Sequence, residues 1–405
     1  MAKHAVAVKT RISRLSVALL LAMALVAIGF MVMMIIVDAF PINMTLAFLI
    51  VMFAMIAGAW LLFRSDKKWM KRAGIVLAAL FIAVYGLGIY YLGSTFSTFA
   101  RISVADEETA VASSGVDVTS DPFNVYITGI DMWNNEKGYD LERSDVNMIM
   151  TVSPQTREIL LTSIPRDTYV PLYGHNAYDK LTHTGVYGVD TTINTVNDWL
   201  GIDMNYYIKV NFTSVVKVIY AIGGVDVESP KAFKSSISKY SYKKGMNHLD
   251  GREALFFARE RKAFKGEDSL RVDNQQKVVK AMLDKLFTSS TLLTQYGHLL
   301  DIAADDMETN MSSQEMRALV KMQLADMGAW KIRTQKLEGK YEMDYVASLT
   351  QEEKFLVYKP SKKSFDKIKD AIEKQMNPSE AKIAAATARR QTGSMIGFIR
   401  NIFNK

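Results

Sequence analysis

Three long uncharged stretches occupy most of the first hundred residues. They cover residues 15–37, 39–63 and 73–100, and each is long enough to cross about 30 Å of hydrocarbon as a helix. The sequence therefore predicts three transmembrane helices within residues 1–93. A cleavable signal peptide is the alternative for the first stretch, but its 23 residues exceed a typical signal-peptide core and two more stretches follow.

Basic residues beside these stretches predict their orientation. Three of residues 9–14 are Lys or Arg, and the segment 64–72 between the second and third stretches carries five more. The segment 38–43, between the first and second, has one acid and no base. Because basic flanks stay on the cytoplasmic side, we expect a multi-pass cell-membrane protein with a cytoplasmic N-terminus and an extracellular chain after Tyr91.

The pattern changes after the membrane segment. Residues 94–120 are rich in Ser, Thr, Ala and Val and show no sustained period, which predicts an extracellular linker. Short apolar runs bounded by Asp, Gly, Ser or Pro then predict strands at 123–130, 146–153 and 157–164. The Ser-Pro-Gln-Thr turn between the last two predicts a hairpin, so the sheet should be mixed.

Helical patterns then alternate with further strands. The apolar spacing predicts helices at 190–200, 213–222, 249–258, 271–287 and 313–327, and strands at 206–210 and 225–228. This alternation predicts an α/β fold, a three-layer α/β/α domain with a mixed central sheet at 121–350. Residues 351–405 are predicted to form a basic C-terminal tail, amphipathic or partly disordered.

The distribution of charge excludes a nucleic-acid partner. The 405 residues carry a formal net charge of +7, but residues 1–93 alone hold nine basic and two acidic side chains. The rest of the chain is therefore neutral, and no basic stripe marks a DNA-binding face. The chain also has no cysteine, which excludes disulfides and thiolate metal sites.

Charged side chains gather at the ends of the predicted strands. They are Asp131 after the first strand, Arg143 and Asp145 before the second, and Arg166 and Asp167 after the third, with Asp179 and Lys180 soon after these. Arginines donate paired hydrogen bonds to phosphate oxygens, and aspartates hold Mg²⁺ through hard oxygen ligands. Together these residue types indicate phosphoryl transfer from a diphosphate.

Four more candidates lie further along the chain. Arg259 and Arg261 are two residues apart, and Arg271 and Gln275 are four apart on a predicted helix, so the latter pair points the same way. Arg259 and Arg261 lie next to Glu260 and could instead form an exposed charged face, and the Arg143–Asp145 or Arg166–Asp167 pair could be a loop salt bridge. His183 is expected to be structural. Judged singly, none of these residues supports a function.

Taken together, these residues lie in a series of motifs that resembles one known family. The motifs include GID, RSD, SIPRDTYV, DKLTHTGVYG, AIGGVDVESP, FFARERK and DSLRVDNQQKVV. In order and spacing they closely resemble the catalytic domain of the LytR-CpsA-Psr family over roughly residues 121–285. The three preceding spans resemble the CpsA type of that family.

The resemblance implies a phosphotransferase at the outer face of the cytoplasmic membrane. It would move a glycopolymer, such as teichoic acid or capsular polysaccharide, from undecaprenyl diphosphate to peptidoglycan. By motif, Asp131 and Asp145 would hold Mg²⁺, or Mn²⁺ in its place. The phosphates would be surrounded by Arg143, Arg166, Arg259, Arg261, Arg271 and Gln275. Asp131, Asp145 and Arg166 are the expected catalytic residues.

Two other functions stay open at this point. The first is a membrane-bound regulator, attenuator or lipid-glycan binding protein without turnover, although the cytoplasmic segments are too short for a helix-turn-helix. The second is hydrolysis of the diphosphate with water as the acceptor. The sequence leaves open which polymer is donated and which group accepts the hydroxyl proton.

Overall fold

The structure is a computed structural model that describes residues 12–38, 40–102, 115–130, 144–261, 267–287, 299, 307–326, 328–349 and 352–389. The described residues fall into two compact units. The first lies within residues 1–97 and 320–325, and the second within 98–319 and 326–405.

The first unit is built on three long apolar helices, α1 (Arg14–Val37), α2 (Ile42–Arg64) and α3 (Lys68–Ile102). Each contains a segment long and apolar enough to cross a membrane. Their inward side chains form one cluster, with Phe30, Phe81 and Tyr85 at its centre. The prediction of three N-terminal membrane helices is confirmed, although α3 continues to Ile102, past the predicted start of the linker at residue 94.

The second unit is built on a mixed sheet, which among the described residues has six strands. They are β1 (Phe123–Ile130), β2 (Ser144–Ser153), β3 (Glu158–Ser163), β6 (Tyr206–Asn211), β11 (Met307–Thr309) and β12 (Lys331–Lys336). Their order across the sheet is β11-β6-β1-β2-β3-β12. Pairing is antiparallel for β1 with β2, β2 with β3 and β11 with β6, and parallel for β1 with β6 and β3 with β12.

Helices cover both faces of this sheet. They are α5 (Val189–Leu200), α8 (Glu267–Leu286), α9 (Ser313–Asp326) and α10 (Lys362–Met376). Side chains of α5 and α10 pack against Tyr126, Ile149 and Tyr207 on one face. Side chains of α8 and the first part of α9 join Val125 and Leu161 on the other. Because successive strand residues point to opposite faces, the inner strands β6, β1, β2 and β3 each supply both cores. The predicted three-layer α/β/α fold is confirmed.

Smaller elements surround the sheet. They are β4 (Tyr169–Pro171), β5 (Tyr178–Lys180), α4 (Leu181–Thr184), α6 (Phe212–Ala221), β7 (Val225–Ser229), β8 (Phe233–Lys234), β9 (Ser241–Tyr242), β10 (Gly245–Leu249), α7 (Gly251–Arg259), β13 (Gly339–Asp344) and β14 (Phe355–Pro360). The pairs β4–β5, β7–β10, β8–β9 and β13–β14 form two-stranded antiparallel sheets. The predicted strand at 225–228 therefore lies outside the central sheet.

Two helix starts differ from the predictions because other residues form the caps. The side chain of Asn211, not Thr213, accepts from the backbone N–H of Ser214 and begins α6. Asp250 begins α7 through a capping box with Glu253, so the helix predicted from residue 249 starts after β10. Gly251 follows at once, and a Cβ there would lie 2.2 Å from the carbonyl oxygen of Val216, so only glycine permits this contact between α6 and α7.

The structure differs from the predicted domain boundary at residue 350. Strand β14 pairs with β13, and α10, whose apolar spacing the sequence showed, packs into the core of the domain. Ile368 and Ile372 of α10 are fully buried. The sequence could not reveal this packing because an amphipathic helix has the same pattern on a membrane surface as on a protein core.

Candidate active site

The candidate site lies at one edge of the central sheet, which we call the carboxyl edge. Strands β1, β3, β6 and β12 run in the same direction and all end there, and β2 begins there. In α/β proteins this edge is where ligands bind, because the loops that follow the strands gather above it. The structure places there Asp145, at the start of β2, and Arg166, just after β3.

Asp145 occupies a β-bulge. Gly129 pairs with Val146 and Ile130 pairs with Ser144, so Asp145 is an extra residue with no partner on β1. A bulge bends a strand and redirects a side chain, and bulges occur often beside active sites. Gly129 permits the close approach, since a Cβ there would lie 3.1 Å from the Cβ of Val146.

A buried hydrogen-bond network holds this bulge in place. The Tyr126 hydroxyl donates to the Oδ1 atom of Asn147 over 2.5 Å, and the Ser144 hydroxyl donates to the same atom over 2.9 Å. The backbone carbonyl of Asn147 accepts from the N–H of Ile164 over 2.9 Å. The residues on both sides of Asp145 are therefore fixed, and its carboxylate is presented by a rigid strand end.

Four charged side chains meet beside the bulge. The Arg166 guanidinium donates to the Asp145 carboxylate, and its Nε lies 3.7 Å from Oδ2 of Asp167. The other carboxylate oxygen of Asp167 lies 3.5 Å from Nζ of Lys180. All four side chains are partly exposed, so this group can exchange its internal ion pairs for contacts with an anionic ligand. Lys180, of the DKLTHTG motif, was placed by the sequence among the charged residues near the strand ends but was not assigned as a phosphate ligand.

Helix α8 brings Arg271 and Gln275 to the same edge. Nε2 of Gln276 donates to the carbonyl of Leu161 over 3.2 Å, and the Asp273 carboxylate lies 2.7 Å from Nζ of Lys336, at the end of β12. Leu161 lies two residues before the end of β3, whereas Lys336 is the last residue of β12. Asp273, three residues before Gln276 in α8, is therefore nearer the carboxyl edge than Gln276. The start of the helix lies at that edge, and Arg271 and Gln275 are both buried there, one turn apart.

Arg259 and Arg261 flank the end of α7. The Arg259 guanidinium lies 5.4 Å from the centre of the Phe212 ring, and Phe212 packs against Val146, the neighbour of Asp145. Between the two arginines, Glu260 is fully buried. Its carboxylate accepts from the backbone N–H and the hydroxyl of Ser236, both over 2.7 Å, and from the N–H of Arg261 over 3.1 Å. Glu260 is therefore not part of an exposed charged face, although the neighbouring Arg261 is exposed.

Two predicted site residues, Asp131 and Arg143, lie outside the described residues. Within the part of the chain that the structure describes, no cluster of three or more His, Cys or acidic residues could hold a metal ion. Mg²⁺, however, is usually held by one or two carboxylates together with water and substrate phosphates. The Asp145 carboxylate, with its hard oxygens at the carboxyl edge, fits that kind of site.

Comparison with known proteins decides the family. The model of the LytR_cpsA_psr family matches residues 89–374, more than half of the chain. The chain belongs to the LytR_cpsA_psr family.

Relatives of this LytR_cpsA_psr protein include named transferases. The polyisoprenyl-teichoic acid–peptidoglycan teichoic acid transferase TagU of Bacillus licheniformis is 33% identical over 256 residues, which is 62% of this chain and 81% of the relative. The crystal structure of Bacillus subtilis TagV has a TM-score of 0.52 at 26% identity and covers 64% of this chain and 99% of its own. The structure of TagT bound to LI-WTA also has a TM-score of 0.52 at 26% identity. The match covers 68% of this chain and 98% of the TagT chain.

A buried carboxylate lies behind Lys180 in the LytR_cpsA_psr domain. Asp179 is fully buried, accepts from the backbone N–H of Ser348 over 2.8 Å, and lies 2.8 Å from Nδ1 of His183. The Ser348 hydroxyl lies 2.8 Å from the same nitrogen. The expectation that His183 is structural agrees with these contacts, which join β5 and α4 to the segment after β13.

The clamp formed by Asp179, His183 and Ser348 should make stability depend on pH. Burial raises the pKa of Asp179, but hydrogen bonds from His183, Ser348 and the N–H of Lys180 outweigh burial and hold the pKa below its ordinary value. Because the folded pKa is lowered, the ionised carboxylate stabilises the fold above the unfolded pKa of about 3.9, and this contribution is lost as the pH falls through the folded pKa.

We therefore expect the thermal midpoint of the wild-type protein to fall as the pH is lowered below about 4. Asp179→Asn should lower the midpoint at neutral pH and make its dependence on acid pH shallower. Thermal unfolding of both proteins between acid and neutral pH checks this. An unchanged acid dependence in the variant would assign the effect to other carboxylates.

Proposed function

We propose that this protein is a phosphotransferase that moves a glycopolymer, a teichoic acid or capsular polysaccharide, from undecaprenyl diphosphate to peptidoglycan. The observation that carries the proposal is the group of Arg166, Lys180 and Asp145 at the carboxyl edge, with Arg271 and Gln275 buried at the same edge. With Asp167, which lies beside Arg166 and Lys180, this edge holds three cationic side chains and two carboxylates, in a chain whose family relatives are named teichoic acid transferases. A diphosphate bound to a lipid fits its chemistry.

In this proposal the arginines bind and orient the diphosphate. Arg166 and Arg259 are held by neighbouring side chains, so their donors are positioned before the substrate arrives, and positioned donors stabilise the charge that grows on the leaving lipid phosphate. A hydroxyl of the glycan then attacks the phosphate that is joined to the polymer and forms a phosphodiester with it. The bond between the two phosphates breaks, lipid monophosphate leaves, and the hydroxyl proton passes to a base or to water. Lipid and acceptor meet at the membrane surface, so positioning contributes to the rate.

Asp145, together with Asp131 of the same motif set, would hold Mg²⁺ at this site. A bound Mg²⁺ would neutralise negative charge on the diphosphate oxygens. Because the Arg166 guanidinium also bonds the Asp145 carboxylate, this arginine keeps that carboxylate oriented toward the site when the substrate is absent. Asp167, next to Arg166 and Lys180, is a further candidate to accept the hydroxyl proton.

The three apolar helices would anchor the enzyme in the cell membrane. Basic residues before α1 and between α2 and α3 favour a cytoplasmic N-terminus and an extracellular catalytic domain. That orientation gives the site access to lipid-linked polymers in the outer leaflet and to the peptidoglycan beyond it. It also places the site away from ATP, which agrees with a donor that is already activated.

The full-length protein in lipid nanodiscs tests this function. It is incubated with a radiolabelled polymer on polyprenyl diphosphate, Mg²⁺ and isolated peptidoglycan, and we expect label in the insoluble peptidoglycan. Chelation by EDTA should abolish the transfer, and added Mg²⁺ should restore it. Release of free polymer would indicate hydrolysis, and retention of the donor without release would indicate a binding protein; either result would overturn the proposal.

A further inference from the structure

The β4–β5 hairpin carries a row of tyrosines beside the charged group of the site. Tyr169 lies directly opposite Lys180 in the hairpin, and Tyr178 lies two residues before Lys180 on the same face. The rings of Tyr169 and Tyr178 stack with their centres 5.1 Å apart. The Tyr169 hydroxyl donates to the backbone carbonyl of Tyr345 over 2.9 Å, so Tyr345 is near the stacked pair. We call Tyr169, Tyr178 and Tyr345 the tyrosine strip.

The outer rings of the strip are open to solvent. Tyr178 is 52% exposed and Tyr345 is 43% exposed. Aromatic rings bury most of their area in protein interiors, so two adjacent exposed rings beside a catalytic edge indicate a binding surface. The Asp179, His183 and Ser348 contacts lie behind the strip and fix the hairpin to the segment that carries Tyr345. The strip is therefore a preformed surface, which lowers the cost of binding.

Two lysines lie against rings of the strip, and two carboxylates, Glu342 and Asp344, compensate them. Nζ of Lys354 lies 5.3 Å from the centre of the Tyr345 ring, and its charge acts on Asp344. Nζ of Lys359 lies 5.6 Å from the centre of the Tyr169 ring, but it pairs with Glu342 over 3.3 Å and with Asp344 over 2.8 Å. A polymer rich in phosphate needs uncompensated cations, which this surface does not offer through Lys359. A chain of uncharged sugar rings needs flat apolar surfaces, because the C–H groups on one face of a pyranose pack against an aromatic ring.

We propose that the tyrosine strip binds the glycan strand of the peptidoglycan acceptor and directs its hydroxyl to the phosphates. The inference rests on the proposed transferase function and extends it to the acceptor. Two residues of a strand span about 7 Å, so a sugar stacked on Tyr178 lies within one or two ring widths of Lys180. The strip thus supplies a docking surface that continues directly into the phosphate site.

The test measures acceptor binding separately from donor binding. The full-length protein in nanodiscs is mixed with peptidoglycan stripped of its anionic polymers, and the bound fraction is measured. For Tyr178→Ala combined with Tyr345→Ala we expect binding weaker by about tenfold and a KM for peptidoglycan raised by a similar factor, with capture of the lipid-linked donor unchanged. Tyr178→Trp should retain binding, because it keeps a flat ring.

Tyr341→Ala is the matched control. Tyr341 is 38% exposed and lies on β13, but on the opposite face of the β13–β14 hairpin from Asp344. Its removal should leave peptidoglycan binding at the wild-type level. Thermal unfolding of all variants checks that the fold is retained, as expected for exposed side chains.

The outcomes separate this inference from the proposed function. Unchanged peptidoglycan binding by the double variant would overturn the inference, even if the wild-type protein transfers polymer. Weaker capture of the donor by the double variant would assign the strip to the donor sugars and would also overturn it. Strip-dependent peptidoglycan binding without any transfer by the wild type would support the strip and refute the transferase function.

Discussion

Arg166→Ala should reduce polymer transfer by at least about a hundredfold. The substitution removes the guanidinium that bonds Asp145 and lies beside Asp167. Asp145 then loses its cation, and Asp167 keeps only Lys180, at the place where the diphosphate is expected to bind. The repulsion between these carboxylates and the phosphates then adds to the loss of the paired donors. Transfer of labelled polymer by the reconstituted protein, as kcat/KM for the donor, measures the effect.

Two further variants make this result specific. Arg166→Lys keeps the charge but loses the planar paired donors, so we expect activity between the wild type and Arg166→Ala. Arg333→Ala is the control, because Arg333 bonds Glu158, at the start of β3 and thus at the opposite end from the carboxyl edge. It should transfer polymer at nearly the wild-type rate. Activity of Arg166→Ala within about threefold of the wild type would remove Arg166 from the site.

Glu260→Ala should both destabilise the domain and impair transfer. Glu260 is fully buried, and its carboxylate accepts three hydrogen bonds from Ser236 and Arg261. Truncation leaves those donors unsatisfied, and we expect the free energy of unfolding to fall by about 3 kcal/mol. Because Glu260 lies between Arg259 and Arg261, we also expect kcat to fall at least about tenfold through misplacement of these side chains.

The role of Glu260 is distinguished from general instability by a partial replacement. Glu260→Gln keeps an acceptor in place and should recover part of both the stability and the kcat, while the KM for peptidoglycan stays unchanged. Asp284→Ala is the surface control, because Asp284 forms an exposed pair with Lys280 and its loss should change stability by less than about 0.5 kcal/mol. A Glu260→Ala protein with wild-type stability would show that the buried carboxylate is not needed for the fold.

Much of the fold followed from local patterns. The uncharged stretches gave the three helices, and alternating short apolar runs gave β1, β2 and β3 within two residues of their observed bounds. Helix caps were less predictable. Asn and Thr are both favoured at the N-cap, and Asn211 is the cap of α6 because β6 ends there and the helix begins at the next residue. Helix α10 packs against residues that are far away in the chain, so its own sequence predicted only an amphipathic helix and not its place in the core.

The sequence pointed to candidate site residues, which stay a prediction, but not to their arrangement. Arg166, Arg259, Arg271 and Gln275 stood out because their motifs and types fit phosphate binding. The bulge at Asp145 could not be predicted, because no local pattern in Ser144–Asn147 indicates that one residue of β2 has no partner on β1. An exposed charged face around Glu260 was an open alternative in the sequence, but Glu260 is a buried acceptor because the segment around Ser236 folds over it.

The sequence by itself determined the three apolar helices, the alternation of strands and helices, and the residue types for binding a diphosphate. These depend on composition and periodicity, which are local properties. The tertiary structure decided which side chains meet at the carboxyl edge, that Asp145 is bulged, and that a tyrosine strip lies beside Lys180. Such contacts join residues that are far apart in the chain, and only packing fixes their partners.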